Sequence, residues 1–156
     1  LRYEIAVRSI PAKELDHLHL YARFASRGKN AAMPASMKLE SREEQEWTIF
    51  TLAGKIEENA ETISFYAFAN DDASYYFDDA SCYIADAPAH WTQLKLSNPS
   101  FEKAELDAKN LGNAISPQLP GIITIISDAI YKTGRHALMI RFNATSVDPK
   151  ISASMK

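Results

Sequence analysis

The sequence predicts an all-β protein, an antiparallel β-sandwich of about eight or nine short strands. Three observations carry that expectation. Apolar and polar residues alternate with period two through most of the first ninety residues, the spacing of strands with one buried face. Turn-forming residues recur at close intervals between the alternating stretches. Helical spacing is sparse: Phe101 to Asn110 has some of it, but too few apolar positions to line a helix face.

The elements follow in order. Tyr3, Ile5 and Val7 alternate with Glu4, Ala6 and Arg8, and Leu18, Leu20, Ala22 and Phe24 alternate with His17, His19, Tyr21 and Arg23. Both stretches read as half-buried strands. Ser26 to Glu46, with Gly28, Asn30, Pro34 and the run Arg42-Glu43-Glu44-Gln45-Glu46, reads mostly as loop, with one short strand around Met37-Lys38-Leu39. Trp47 to Leu52 is the next strand. Glu61 to Ala69 then sets Ile63, Phe65 and Ala67 against Ser64, Tyr66 and Phe68. Asn70-Asp71-Asp72 is a turn by composition, and Tyr75 to Ile84 is an aromatic-rich strand carrying Asp78-Asp79. Ala85 to Ala89 reads as a linker. Beyond it come strand-like Leu94 to Leu96, a loop holding Gly112, Pro117, Pro120 and Gly121, the Ile-rich strand Ile122 to Ile126, a turn at Lys132-Thr133-Gly134, the strand His136 to Phe142, and the start of another at Ile151 to Met155.

Composition bounds the function. The chain has 156 residues, 46% hydrophobic and 24% charged, with a formal charge of −3. That is enough for one core without a disulfide or metal. The charge is too small and too evenly spread to attract nucleic acid or an anionic membrane. No stretch approaches the ~20 apolar residues of a membrane-spanning helix, so no membrane insertion is expected. Cys82 is the only cysteine, which removes an internal disulfide, a cysteine zinc cluster and a redox pair.

Several segments together resemble jelly-roll carbohydrate-binding modules of families four, nine, sixteen and twenty-two, within the wider galactose-binding-like fold. Asn98-Pro99-Ser100-Phe101-Glu102 matches their opening Asn-x-x-Phe-Glu strand, and Thr133-Gly134-Arg135-His136-Ala137-Leu138-Met139-Ile140 resembles their turn and alternating strand. Tyr3-Glu4-Ile5-Ala6-Val7, Trp47 with Gly54, and Tyr75-Tyr76-Phe77-Asp78-Asp79 resemble pieces of their second half. The order is inverted. Residues 1–86 resemble the C-terminal half and residues 90–156 the N-terminal half, which predicts either one permuted domain or two half modules of a tandem array. In a permuted domain Leu1 and Lys156 are expected to lie close together.

The resemblance implies a structural calcium ion held by Glu102 and by Asp78 or Asp79, with Asp79 favoured. In a regular strand the two aspartates face opposite ways, so only one reaches an ion unless a bulge intervenes. It also implies a glycan-binding face. Sugars present apolar C–H faces ringed by hydroxyls, so aromatic platforms beside planar polar groups suit them. His19, Tyr21, Arg23, Tyr66, Phe68 and Arg141 supply that mixture if their strands are neighbours. Trp47 reads as core, and Trp91 sits in the linker with no packing assigned to it.

Catalysis finds no support in the sequence. His17 and His19 share a strand face, but no third ligand falls at zinc spacing, so they read as a surface pair. No serine sits in a nucleophile-elbow pattern, Glu43-Glu44 and Glu57-Glu58 read as solvated acids, and the five glycines form no phosphate loop. Asn143-Ala144-Thr145 fits the glycosylation sequon. The resemblance therefore implies a non-catalytic carbohydrate-binding or adhesion module of a larger secreted or cell-surface protein, with a glycan or polysaccharide as partner. The alternative is a spacer or a self-associating subunit completed by strand exchange.

Overall fold

A computed structural model of the chain describes residues 1–11, 15, 18–26, 29–32, 37–56, 60–69, 73–96, 99–102 and 123–141. The expected strand at Ile151 to Met155, the loop around Gly112, the sequon, His17 and Lys156 lie outside the described residues. Ten strands are described: β1 (Arg2–Ile10), β2 (Leu18–Ser26), β3 (Lys29–Ala32), β4 (Lys38–Glu44), β5 (Trp47–Ala53), β6 (Thr62–Ala69), β7 (Ser74–Ala87), β8 (His90–Leu94), β9 (Ile123–Ser127) and β10 (Ala137–Arg141). No α-helix occurs among the described residues. The described residues are all-β, and every strand pair among them is antiparallel.

The strands form two sheets. The larger has seven strands in the order β4-β5-β1-β7-β10-β9, with β8 pairing to β7, and the smaller has the order β3-β2-β6. Long β7 organises the larger sheet. One edge pairs with β1 from Ser74 to Tyr83, while the other pairs with β10 over Ser74 to Phe77 and with β8 over Cys82 to Ala87.

Alternation in these strands buries one face. Tyr3, Ile5 and Val7 of β1, Phe50 and Leu52 of β5, Tyr75 and Phe77 of β7, and Leu138 and Ile140 of β10 belong to one buried cluster. The same cluster takes Leu18, Ala22 and Phe24 from β2 and Phe65 and Ala67 from β6. Tyr3 stacks on Phe65 with ring centroids 3.8 Å apart and planes 13° from parallel, joining the two sheets directly. Phe101, Leu138 and Ile140 from the later part of the chain lie in the same cluster as the early strands.

A bulge breaks the alternation of β7. Between the pairs Glu4–Ser81 and Ala6–Asp78, β7 supplies one residue more than β1, and Asp79 takes a φ of 49° there. Its consequence is a change of phase. Tyr75 and Phe77 face the core before the bulge, and Ala80 and Cys82 face it afterwards.

Three expectations are corrected. The stretch read mostly as loop from Ser26 to Glu46 contains β3 and β4, and Arg42, Glu43 and Glu44 are strand residues. All seven residues of β4 are exposed, so this edge strand has no buried face to impose alternation. Gln45 and Glu46 make the two-residue turn into β5, with Gln45 at φ 59°. The stretch read as a linker is the end of β7 and the Pro88-Ala89 turn of a hairpin, with Ala89 at φ 62°. The strand expected at Leu94 to Leu96 is β8, His90–Leu94, and it too is mostly exposed.

Candidate functional site

The face of the larger sheet turned away from the main core has two different halves. Over one half lies the segment between β9 and β10. Beneath it Trp47 is buried with Ala6, Ile49 and Ala137, and Ile130 and Tyr76 pack against them. Trp47 is therefore a core residue, shielded from any ligand.

That segment is held by carboxylates. Asp78 is fully buried: its Oδ2 accepts the backbone N–H groups of Lys132 at 2.8 Å and Thr133 at 3.1 Å, and its Oδ1 accepts the Asp79 N–H at 2.7 Å. Burial pushes its carboxyl above the ordinary range, with the three amides pulling the other way. Thr133 Oγ1 donates to Asp79 Oδ1, and Lys132 Nζ reaches Glu44 Oε1 at 2.8 Å and Asp79 Oδ2 at 3.6 Å. Glu102 grips the far end of the same loop. Its oxygens accept from Arg135 N at 2.9 and 3.1 Å and from His136 N at 3.1 Å, and these amides hold its carboxyl below the ordinary range. Gly134 lies between, at φ 68°, so close that a Cβ there would fall 2.0 Å from Glu102 Oε1.

Asp78, Asp79 and Glu102 all meet one loop, and as arranged they do not fit the calcium ion that the resemblance implies. Calcium needs six to eight oxygens aimed at one point. Here the oxygens of Asp78 and Glu102 accept N–H groups from different parts of the loop, and no group of three or more His, Cys, Asp or Glu among the described residues is placed to hold a metal. Of the two aspartates, Asp78 is the buried anchor, and Asp79 is the half-exposed partner of Thr133 and Lys132.

The residues expected to bind a glycan divide between the sheets. In the smaller sheet His19 pairs with Phe68, Tyr21 with Tyr66 and Arg23 with Ser64, so these positions do lie side by side. His19 is exposed and Tyr21 half-buried. Arg141 lies apart from them, at the end of β10 in the larger sheet, opposite Ser74 of β7. Its strand is not a neighbour of β2 or β6, so the set of six is not one face.

The open half of the larger sheet's outer face holds a group the sequence reading did not single out. Directly opposed residues share a face, and the register lines up Lys38, Ala53, Arg2, Tyr83 and Gln93 across β4, β5, β1, β7 and β8. Trp91, two residues from Gln93 on β8 and opposite Ala85, projects on the same side and is 43% exposed. The Arg2 guanidinium carbon lies 4.7 Å from the centre of the Tyr83 ring and 5.0 Å from that of Trp91. Glu4, two residues along the same face of β1, is engaged by Arg42 at 3.6 Å and Thr51 at 3.3 Å. Arg2 Nε is buried and has no hydrogen-bond partner among the described residues. A buried donor left unpaired costs on the order of 1 kcal/mol or more. Beside this row an open hollow of about 340 Å³ is lined by Ser81, Gln93, Lys95, Leu96 and Pro99, among others. The sequence signal for the group is the alternation of Trp91 and Gln93 within His90–Leu94, hidden by reading the preceding residues as a linker.

Comparison with protein-family models, with curated proteins and with solved structures finds no match for this chain.

Proposed function

We propose that this chain is a non-catalytic carbohydrate-binding or adhesion module of a larger secreted protein, built as an antiparallel β-sandwich of jelly-roll type. The observation that carries the reading is the exposed Trp91 ring set beside Tyr83, Arg2 and Gln93 on an open sheet surface. An indole offers an apolar plate for sugar C–H groups, and guanidinium and amide groups offer paired hydrogen bonds to ring hydroxyls. The core shared by strands of both sheets supports the sandwich architecture. Isothermal calorimetry against a panel of neutral and acidic oligosaccharides is expected to give saturable heat that Trp91→Ala removes. No binding up to about millimolar concentration, an affinity of roughly 4 kcal/mol, would sink the reading.

The rival reading, a spacer or a subunit completed by strand exchange, meets an obstacle at the β4 edge. Lys38, Glu40, Arg42, Glu43 and Glu44 are all exposed there, a pattern of charge that resists pairing with another strand. Light scattering after size exclusion separates the two: a monomer is expected, and a stable polymer would favour strand exchange.

A further inference from the structure

We propose that the Arg2–Tyr83–Trp91 group is a binding site for the carboxylate of an acidic sugar, so that the ligand is a uronic-acid-type oligosaccharide; this rests on the reading of the chain as a glycan-binding module. The chemistry lies in the state of Arg2. Its guanidinium lies over the two rings, so their faces hold it in place and leave its N–H edge for an acceptor. Glu4, two residues along the same face of β1, is held by Arg42 and Thr51. Nε is shut away from solvent beside the rings, so an incoming carboxylate would meet the terminal Nη donors, which make no hydrogen bond among the described residues, with its two oxygens in matching geometry.

The surroundings favour an extended acidic sugar over a lone anion. Lys38 stands in the same row as Arg2, separated by the small residue Ala53, and Lys95 lines the adjoining hollow. The row crosses five strands, a span of about 19 Å at the usual strand spacing, room for several residues of a chain carrying repeated carboxylates. Trp91 supplies the sugar-specific element, since its exposed face suits a pyranose ring and offers nothing particular to a peptide carboxylate.

The test is calorimetry of the whole chain with three probes: tetragalacturonate, the same tetramer with its carboxyls reduced to alcohols, and tetraglutamate, alongside melting curves for each variant. Tetragalacturonate is expected to bind tightest. Arg2→Lys, which keeps the charge but loses the fork, is expected to weaken it roughly tenfold or more. Trp91→Ala is expected to abolish binding while the melting temperature stays near that of the parent. Equal binding of the reduced tetramer, insensitive to Arg2→Lys, would overturn the carboxylate site and leave glycan binding standing. Tetraglutamate binding as tightly as tetragalacturonate would overturn the sugar assignment. If neither saccharide binds, both this site and the function it rests on fail.

Discussion

Replacing Gly134 by alanine tests how the loop between β9 and β10 is held. At φ 68° an alanine sits in the left-handed region, which costs about 1–2 kcal/mol from the backbone alone. The new methyl would also fall 2.0 Å from Glu102 Oε1 and 2.4 Å from its Cδ, inside any allowed contact. Glu102 must then leave the Arg135 and His136 amides, so the steric and hydrogen-bonding losses arrive together. For a chain of this size 1–2 kcal/mol lowers the melting temperature by roughly 2–8 °C, and release of Glu102 lowers it further. Thermal melts followed by circular dichroism measure the loss. In a Glu102→Ala background the same Gly134→Ala change has no carboxylate to displace, so its effect should shrink toward the backbone cost. A Gly134→Ala melt within about 1 °C of the parent, or effects that simply add in the double variant, would refute this account.

Other expectations follow from the same geometry. Because Glu102 titrates below its ordinary value of 4.5 in the folded protein, the unfolded chain binds more protons in that window. The stability it contributes is present above about pH 4.5 and is lost as pH falls through the folded value, so urea midpoints of the parent and Glu102→Gln should converge in acid; a pH-independent gap would count against it. Asp78 runs the other way, since its raised value makes stability fall as pH climbs from 3.8 through the folded value. Phe65→Ala removes the ring stacked on Tyr3 and should cost about 3–5 kcal/mol by urea denaturation, whereas a loss under about 1 kcal/mol would mean the two sheets are not joined there. Burial pushes the Cys82 thiol up to about 11, so a thiol reagent near neutral pH should label it only on unfolding, and rapid labelling of the folded protein would contradict its burial. Adding calcium or a chelator should leave the melting temperature unchanged, because Asp78 and Glu102 already serve backbone amides; a rise with calcium would restore the ion that the resemblance implies.

What the sequence made legible follows from which faces are buried. β1, β2, β6, β7 and β10 bury mainly one side, so selection for core contact writes period two into the residues; β5 is buried on both faces, with Phe50 and Leu52 in the main core and Trp47 and Ile49 in the second cluster, and reads as a continuous apolar run. β4 and β8 are exposed along nearly their whole length and carry no such imprint. By composition β4 reads as loop beyond a short strand at Met37 to Leu39, and β8 falls between a linker ending at Ala89 and a strand beginning at Leu94. The bulge at Asp78-Asp79 was invisible for another reason, since one extra residue changes no composition and is fixed only by the pairing with β1. The same limit applies to binding residues: Arg2 and Trp91 are 89 positions apart, and only the β1-β7-β8 order brings them together.

The central claim, that the outer face around Trp91 receives a sugar, can be read from the two tryptophan indole N–H signals in a nitrogen–proton NMR spectrum, assigned with Trp91→Phe. Trp47 is buried and Trp91 is exposed, so the two report on different surfaces. On titration with tetragalacturonate, and with its carboxyl-reduced counterpart alongside, the account predicts that the Trp91 signal moves saturably with the acidic sugar while Trp47 stays fixed. If both indole signals stay still while amides of His19 to Ala25 on β2 shift, a sugar binds the smaller sheet and the account is contradicted.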